Sequence, residues 1–335
     1  MLQGHSSTHP PRATWMDVIL RYNKPNRLKS IWQIVNSVVP YVLLWFLMVQ
    51  SVSISYWLTL LLAVFAAGFL VRIFIIFHDC VHGSFFKSHH INTFCGFVLG
   101  VLTFTPFHRW QYEHLTHHRT VGNLDKRGIG DVKTLTVEEY RNRSKWQRFK
   151  YRFYRHPVFL FGVAPILLFL FKNRLTSRDN SREIKYMTYL TNVVLILMYG
   201  MLVWFLGWKV VVLIQFPVLY VSAVHGVWLF YVQHQFENVV WARTGEWDYQ
   251  SIAIQGSSFF KLPILLQWFT GNIGFHHIHH LSPIIPNYNL AQCHNENDMF
   301  QVVKPITFWS AFKTMSLRLW DEKRKRLVRF KDVKV

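Results

Sequence analysis

The stretch ISYWLTLLLAVFAAGFLVRIFIIFHDCVH, from Ile54 to His82, decides the fold. Its apolar part, residues 54–77, contains one charged residue, Arg72, near its end. At a rise of about 1.5 Å per residue, about 20 such residues cross the roughly 30 Å hydrocarbon core of a bilayer. The stretch then ends in two histidines, His78 and His82, which are four residues apart and share one face of a helix. It therefore predicts a transmembrane helix that ends in a pair of candidate metal ligands.

The rest of the chain repeats this apolar character. Hydrophobic residues make up 51% of the 335 residues, aromatic residues 17% and charged residues only 16%, which is unusual for a soluble domain. Further apolar runs at residues 31–50, 187–206 and 209–232 predict three more spans. We therefore expect an all-α membrane protein that forms a single domain over residues 1–335. We expect four transmembrane helices under a cytosolic helical cap, formed by residues 78–186 and 233–335, and we expect this cap to hold a di-metal site, for reasons given by the charges and histidines below.

Two shorter apolar runs, residues 91–107 and 157–171, are interrupted by glycine or proline. If either run crossed the bilayer alone, it would place the histidine clusters on opposite sides of the membrane. We therefore predict interfacial or re-entrant helices, with the alternative that the runs are apolar faces of the cap.

The basic residues indicate the orientation. All of the 37 Lys and Arg residues except Arg72 and Lys209 lie in the predicted cap or before the first span. The positive-inside rule then places both termini and the histidine clusters in the cytoplasm. The first roughly 30 residues are polar and basic, so we expect no cleavable signal peptide. The net charge of +20 suits the lipid bilayer and an acidic electron carrier, and we predict no nucleic-acid partner.

Three histidine clusters share a spacing that suits one metal centre. The first is His78-Asp-Cys-Val-His82, the second His114-Leu-Thr-His117-His118, and the third His276-His277-Ile-His279-His280. Residues three and four apart share a helix face, so each cluster can direct its imidazoles at one point. Eight imidazoles exceed the coordination of one ion, which favours two neighbouring metals. The predicted ligands are His78, His82, His114, His117, His118, His276, His279 and His280.

Other polar residues are assigned supporting roles. His234 follows the fourth span and is a possible ninth ligand, with a supporting hydrogen bond as the alternative role. Residues expected to lie around the ligands and orient them are Asp79, Glu113, Glu237 and His277. Histidines outside the pattern, expected at the surface or at an interface, are His5, His9, His89, His90, His108, His156 and His294.

The three clusters and their flanks resemble a known family. The segments His78-Asp-Cys-Val-His82-Gly-Ser-Phe-Phe, Trp110-Gln-Tyr-Glu-His114-Leu-Thr-His117-His118 and Gly274-Phe-His276-His-Ile-His279-His280-Leu resemble the three histidine boxes of integral-membrane fatty acid desaturases. The resemblance implies four membrane helices under a cytosolic cap. It also implies two iron ions held by the eight box histidines, with O₂ as co-substrate. The reaction implied is the introduction of a cis double bond into an acyl chain.

The spacing within the first box indicates which branch of this family the chain resembles. The HxxxH spacing of the first box is similar to that of plant and bacterial acyl-lipid desaturases, which implies acyl chains of membrane phospholipids as substrate and a bacterial inner membrane as location. Acyl-CoA relatives have Asn four residues before an extra histidine ligand, whereas this chain has Phe230 before His234. The chain has no G-x-G-x-x-G motif and no P-loop, so electrons must come from an external carrier, by resemblance a ferredoxin or a flavodoxin.

The chemistry requires a redox metal, because an unactivated methylene loses hydrogen only to a strong oxidant. A narrow apolar tunnel should lead from the metals into the membrane. Its candidate lining, for which ordinary packing is the alternative, is Trp57, Phe74, Trp228 and Phe230. Two other functions stay open. One is a related oxygenase, such as a carotenoid ketolase or a lipid hydroxylase. The other is a metal transporter, which would place its ligands inside the spans.

Overall fold

The computed structural model describes residues 12–334, so His5 and His9 lie outside the described residues. The predicted all-α class is confirmed, because helices dominate and the strands are only two or three residues long. The helices are α1 (Arg12–Tyr22), α2 (Arg27–Ser51), α3 (Tyr56–Val81), α4 (His89–Leu102), α5 (Phe107–Thr120), α6 (Val137–Arg141), α7 (Lys145–Tyr154), α8 (Val158–Arg174), α9 (Arg182–Leu206), α10 (Trp208–His234), α11 (Tyr249–Gln255), α12 (Ile264–Phe269), α13 (His276–Leu281), α14 (Asn287–Asn295), α15 (Asp298–Gln301) and α16 (Phe308–Thr314).

Four of these helices, α2, α3, α9 and α10, are long and apolar enough to cross a membrane. Each coincides with one of the predicted spans. Helix α3 is the most buried of the four, with 56% of its apolar window covered by other parts of the chain, whereas α9 is the least covered, at 11%. The stretch quoted first therefore forms the central helix of the membrane part, and the other spans present more of their surface to lipid.

The two short apolar runs lie in bent helix pairs. Helices α4 and α5 meet at 102°, and α7 and α8 meet at 52°. The number of spans would rise to six if each pair crossed the membrane as one broken span. Their placement at the membrane interface stays a prediction.

The connections between paired spans are very short. Residues 52–55 join α2 to α3, and the single residue Gly207 joins α9 to α10. Gly207 has a φ angle of +79°, a conformation that glycine adopts without steric cost. Both long hairpins therefore return at once to the side of the cap.

The elbow between α4 and α5 depends on two close approaches. A Cβ atom on Gly96 would lie 2.1 Å from Cε2 of Phe107, and one on Gly100 would lie 2.5 Å from the carbonyl oxygen of Thr105. Phe107 also contacts Phe77 of α3 edge to face, with ring centroids 5.9 Å apart. The elbow therefore turns α5, which carries the second histidine cluster, across the end of α3.

The short strands lie in the cap. One sheet has three strands in the order β1 (Leu135–Thr136), β4 (Leu319–Asp321) and β5 (Arg326–Val328). Strand β4 pairs with β1 in parallel and with β5 in antiparallel orientation. Strands β2 (Phe259–Lys261) and β3 (Pro305–Thr307) form a parallel pair. Both sheets tie the C-terminal part of the chain to earlier segments.

A buried guanidinium joins the cap to α10. The side chain of Arg155 is 1% exposed. It donates to Oγ1 of Thr134 (2.9 Å), to the hydroxyl of Tyr231 (3.1 Å), to Oε1 of Gln235 (3.0 Å) and to the carbonyl of Leu317 (2.9 Å). No carboxylate in residues 12–334 forms an ion pair with it. Its charge is stabilised by neutral acceptors from three parts of the chain, which fixes the end of α10 against the cap.

The Gly96–Phe107 contact can be tested by a matched pair of substitutions. Gly96→Ala should lower the thermal unfolding midpoint of the purified protein, because the new methyl group must displace a buried ring, at a cost of about 1–3 kcal/mol. Gly200→Ala in α9 is the control, since nothing lies within 4 Å of its added Cβ and alanine favours helix. Equal midpoints for the two variants would contradict the role of this contact.

Candidate metal centre

The histidines converge from four helices at the cap side of the membrane part. His78 lies in the last turn of α3 and His82 directly follows that helix. His114, His117 and His118 lie on α5, His276, His279 and His280 on α13, and His234 is the last residue of α10. Eight of these nine side chains are buried and His82 is partly buried. The structure thus brings the eight predicted ligands and the possible ninth together.

The nine imidazoles form two neighbouring sets. In the first, the candidate ligand nitrogens of five residues lie within 4.8 Å of one another: His78, His82, His114, His118 and His279. In the second, three residues meet the same criterion: His117, His234 and His280. The Nε2 atom of His276 lies 3.0 Å from that of His234, so His276 joins the second set. Two sets agree with the expectation of two metals.

Distances between ring nitrogens fit ligands of a shared cation. The Nε2 atoms of His82 and His114 are 2.9 Å apart, those of His118 and His279 are 3.1 Å apart, and those of His117 and His234 are 3.1 Å apart. Metal–imidazole bonds of about 2.1 Å at right angles would place two nitrogens about 3.0 Å apart. In addition, Nε2 of His78 and of His280 are buried with no hydrogen-bond partner in residues 12–334. These nitrogens have the geometry of metal ligands.

The electrostatics favour neutral imidazoles. Burial, and then the neighbouring histidines, hold the pKa values of His82, His279 and His280 well below the usual value. A neutral imidazole keeps a free lone pair, which is the form that binds a metal. An all-nitrogen donor set without thiolate suits iron, copper, nickel or zinc. The cluster can therefore hold metal ions of this class at neutral pH.

Two carboxylates contact the outer ring nitrogens. Oδ1 of Asp79 lies 3.4 Å from Nδ1 of His78, and its Oδ2 accepts hydrogen bonds from the backbone and the side-chain amide of Asn287, at 2.7 and 2.8 Å. Oδ1 of Asp131 lies 2.5 Å from Nδ1 of His117. Such contacts fix the orientation and tautomer of a ligating ring.

Asp131 and Trp110 were not singled out as site residues from the sequence. Asp131 lies in an irregular segment, outside any helical spacing, but it follows Gly130, whose φ angle is +73°. A Cβ on Gly130 would lie 3.0 Å from Cβ of His117, so glycine lets this segment approach α5. The Gly-Ile-Gly-Asp sequence was the available signal. Trp110 lies one turn before His114 and stacks on its ring, with centroids 4.2 Å apart.

Within residues 12–334, the other expected supporting residues, Glu113, Glu237 and His277, form no side-chain hydrogen bond with the clustered histidines. Glu113 accepts hydrogen bonds from Arg109, at 3.2 and 3.3 Å, and Glu237 is exposed. His277 points to the other side of α13, where its ring packs near His294, and burial lowers its pKa to about 3.

Two expectations for individual side chains are wrong. His294 was expected at a surface or an interface, but it is buried, because its ring packs against Phe259 and Phe275. Trp57 was a candidate for the tunnel lining, but it is 81% exposed and cannot line an interior wall.

A cavity of about 390 Å³ reaches the second histidine set from the cap. His234, Asp131 and Phe230 lie in its wall, which also contains three cationic residues, Arg127, Lys133 and Arg143. The ring of Phe230 lies 5.1 Å from that of His117 and 5.0 Å from that of His234. The second histidine set can therefore be reached through this cavity, next to the apolar ring of Phe230.

Comparison with known proteins shows which family this chain is similar to. A sequence model of the family described as fatty acid desaturase matches residues 53–308. A fatty acid desaturase of Bacillus subtilis (strain 168) is 45% identical over 316 residues, which cover 94% of this chain and 90% of that protein. An sn-1 acyl-lipid omega-3 desaturase (ferredoxin) of Synechocystis sp. is 27% identical, over 70% of this chain and 64% of its own length. An sn-1 oleoyl-lipid 12-desaturase of Picosynechococcus sp. is 25% identical, over 72% and 70%.

The matched region contains all three histidine clusters, His234 and three of the four long helices, α3, α9 and α10, whereas α2 ends just before it. The resemblance stated from the histidine boxes is confirmed. The chain belongs to the fatty acid desaturase family.

Proposed function

We propose that this desaturase uses O₂ and two irons to introduce a cis double bond into acyl chains of membrane lipids. The observation that carries the proposal is the pair of adjacent imidazole sets, buried where α3 and α10 leave the membrane part. In this proposal one iron is held by His78, His82, His114, His118 and His279, and the other by His117, His234, His276 and His280.

The proposed reaction removes two hydrogens from neighbouring methylene groups, and O₂, two electrons and two protons account for two water molecules. Bound iron would supply the oxidising power that no side chain has. The protein would position the acyl chain and keep water away from the reacting atoms. Clustered histidines surround the proposed reacting region, Asp79 and Asp131 would orient His78 and His117, and Phe230 gives an apolar wall.

Acyl-lipid substrates are favoured by two observations. The first is the HxxxH spacing of His78 and His82. The second is that the relatives from Synechocystis and Picosynechococcus are named as acyl-lipid and oleoyl-lipid desaturases. An enzyme embedded by four apolar helices would meet such lipids directly in the bilayer.

We further propose a ferredoxin or a flavodoxin as electron donor. One relative carries ferredoxin in its name, and an acidic carrier would be attracted to a chain with net charge +20. The bacterial relatives support a location in a bacterial inner membrane. The distribution of Lys and Arg supports an orientation with the cap, the metal centre and both termini in the cytoplasm.

Metal content tests the di-iron proposal. The purified protein should hold about two irons per chain, because nine imidazoles exceed one coordination sphere. His279→Ala should lose iron and turnover together, whereas His156→Ala, an exposed histidine, should keep both. Elemental analysis and a turnover assay give the two readouts. One zinc per chain, or full turnover by His279→Ala, would contradict the proposal.

Asp131 should act through His117. Asp131→Ala should weaken iron retention against a chelator about 10–100-fold, the usual effect of losing a residue that orients a metal ligand. Asp131→Asn, which keeps an acceptor oxygen, should lie between Asp131→Ala and the wild type. Asp179→Asn, an exposed carboxylate away from the cluster, serves as control. If iron retention by Asp131→Ala equals that of the control, the contact at 2.5 Å has no orienting role.

The reaction is tested on preformed lipid. Cells that express the protein with a ferredoxin-type donor, and whose fatty acid synthesis is blocked, should convert prelabelled saturated phospholipid to a product lacking two hydrogens. His82→Ala should abolish this conversion by removing a proposed ligand. Mass spectrometry of the labelled lipids separates the outcomes. A product that gains oxygen would favour the hydroxylase or ketolase, and unchanged lipid in iron-loaded membranes would refute desaturation of lipid-bound chains.

A further inference from the structure

A second cavity, of about 680 Å³, lies apart from the metal centre. Its wall is built by the first turns of α2, by Arg72 of α3, by the segment from Phe259 to Trp268 and by α14. None of the nine clustered histidines lines it. Most of its surface is apolar, so the cavity is suited to more than water.

The charged residues of this cavity are all basic. Lys29, Arg72 and Lys261 line it, and no Asp or Glu does. Within the described residues, none of the three forms an ion pair with a carboxylate. Lys29 and Lys261 are exposed. Nζ of Lys29 contacts neutral groups, Oδ1 of Asn289 at 3.5 Å and the ring of Tyr288, whose centre is 5.7 Å away. Three cations without a counter-charge around one cavity favour an anionic ligand.

Arg72 is fixed in place by neutral groups. Its side chain is 6% exposed. Its Nε donates to Oγ of Ser37 (3.1 Å), its Nη1 donates to the carbonyl of Trp268, and its guanidinium carbon lies 3.9 Å from the centre of the Trp268 ring. We find no hydrogen-bond partner for Nη2 in residues 12–334. A guanidinium buried in a span without an acid is costly, and its geometry suits a phosphate.

The cavity opens beside exposed apolar side chains, as expected for residues that face lipid. Trp32 on α2 lines it and is exposed. Ile264, the first residue of α12, also lines it and is 92% exposed, and the adjacent Leu265 is exposed as well. Such apolar residues next to basic ones are typical of the boundary between acyl chains and headgroups. A lipid molecule could therefore enter the cavity laterally from the bilayer.

We propose that this cavity binds an anionic phospholipid from the leaflet next to the cap, with its phosphate at Arg72, Lys29 and Lys261 and its acyl chains along Trp32 and Ile264. A free phosphate ion would use the same cations, but it would leave the apolar wall unoccupied. This binding site requires no turnover, so it does not depend on the proposed reaction.

The cavity is also adjacent to the supports of the first histidine set. Asn287 lines the cavity and donates two hydrogen bonds to Asp79, whose other oxygen faces His78. A lipid in the cavity would pack against the outer side of this chain of contacts. Its binding would stabilise the position of Asn287.

Native mass spectrometry of the detergent-solubilised full-length protein tests the site. Wild-type protein should bind dioleoyl phosphatidylglycerol at least about tenfold more tightly than dioleoyl phosphatidylcholine. The double variant Lys29→Gln/Lys261→Gln should weaken phosphatidylglycerol binding by about tenfold or more, since both lysines are exposed and their loss leaves the core intact. The control Lys331→Gln, an exposed lysine outside the cavity, should bind like the wild type.

The apolar part is tested separately. Ile264→Ser should weaken phosphatidylglycerol binding, and inorganic phosphate should not displace the lipid at a hundredfold excess. Equal affinity for the two lipids, or a double variant that binds phosphatidylglycerol like Lys331→Gln, would overturn the proposal. Displacement by phosphate, or unchanged binding by Ile264→Ser, would also overturn it, because the cavity would then be a site for a free anion.

Discussion

Nine imidazoles are crowded into one space, where protonated rings would repel one another, and the rest of the structure depends on this constraint. Burial, and then the neighbouring rings, lower the pKa values of His82, His279 and His280. A neutral ring keeps one free lone pair, and the Nε2 atoms of neighbouring rings lie about 3 Å apart. Metal ions between the rings would bind such lone pairs, so the donor set and its burial together favour the metal-bound state.

The surrounding elements serve this convergence. Helices α3 and α10 deliver His78 and His234 to the same side, the α4–α5 elbow turns the second cluster across them, and α13 closes the centre from the cap. The contacts that hold these parts are close and of several kinds. Gly96 admits the ring of Phe107, Gly130 admits the loop that carries Asp131, and Arg155 joins the cap to α10. A small displacement of any of these elements would separate the two histidine sets.

Much of the centre could be predicted because its signals are local. Spacings of three and four residues place imidazoles on one helix face, and about 20 apolar residues define a span. Asp131 and Asn287 could not be predicted in the same way, because neither lies at a helical spacing from its partner. Asp131 contacts His117 from an irregular segment 14 residues later, and Asn287 contacts Asp79, which is 208 residues earlier in the sequence. The expectation that His294 lies at a surface or an interface was wrong for a related reason, because tertiary packing against Phe259 and Phe275 buries its ring. Whether α4 and α8 lie at the interface depends on the bilayer itself, which local sequence patterns do not describe.

The single-residue connection at Gly207 and the short link of residues 52–55 have a consequence for how the protein meets its surroundings. If α2, α3, α9 and α10 are the spans, the described residues on the side of the membrane away from the cap are little more than these two tight turns. A protease, an antibody or a receptor on that side would then meet no long loop among the described residues. A molecule that recognises, regulates or degrades the protein would approach from the side of the cap, or through the lipid.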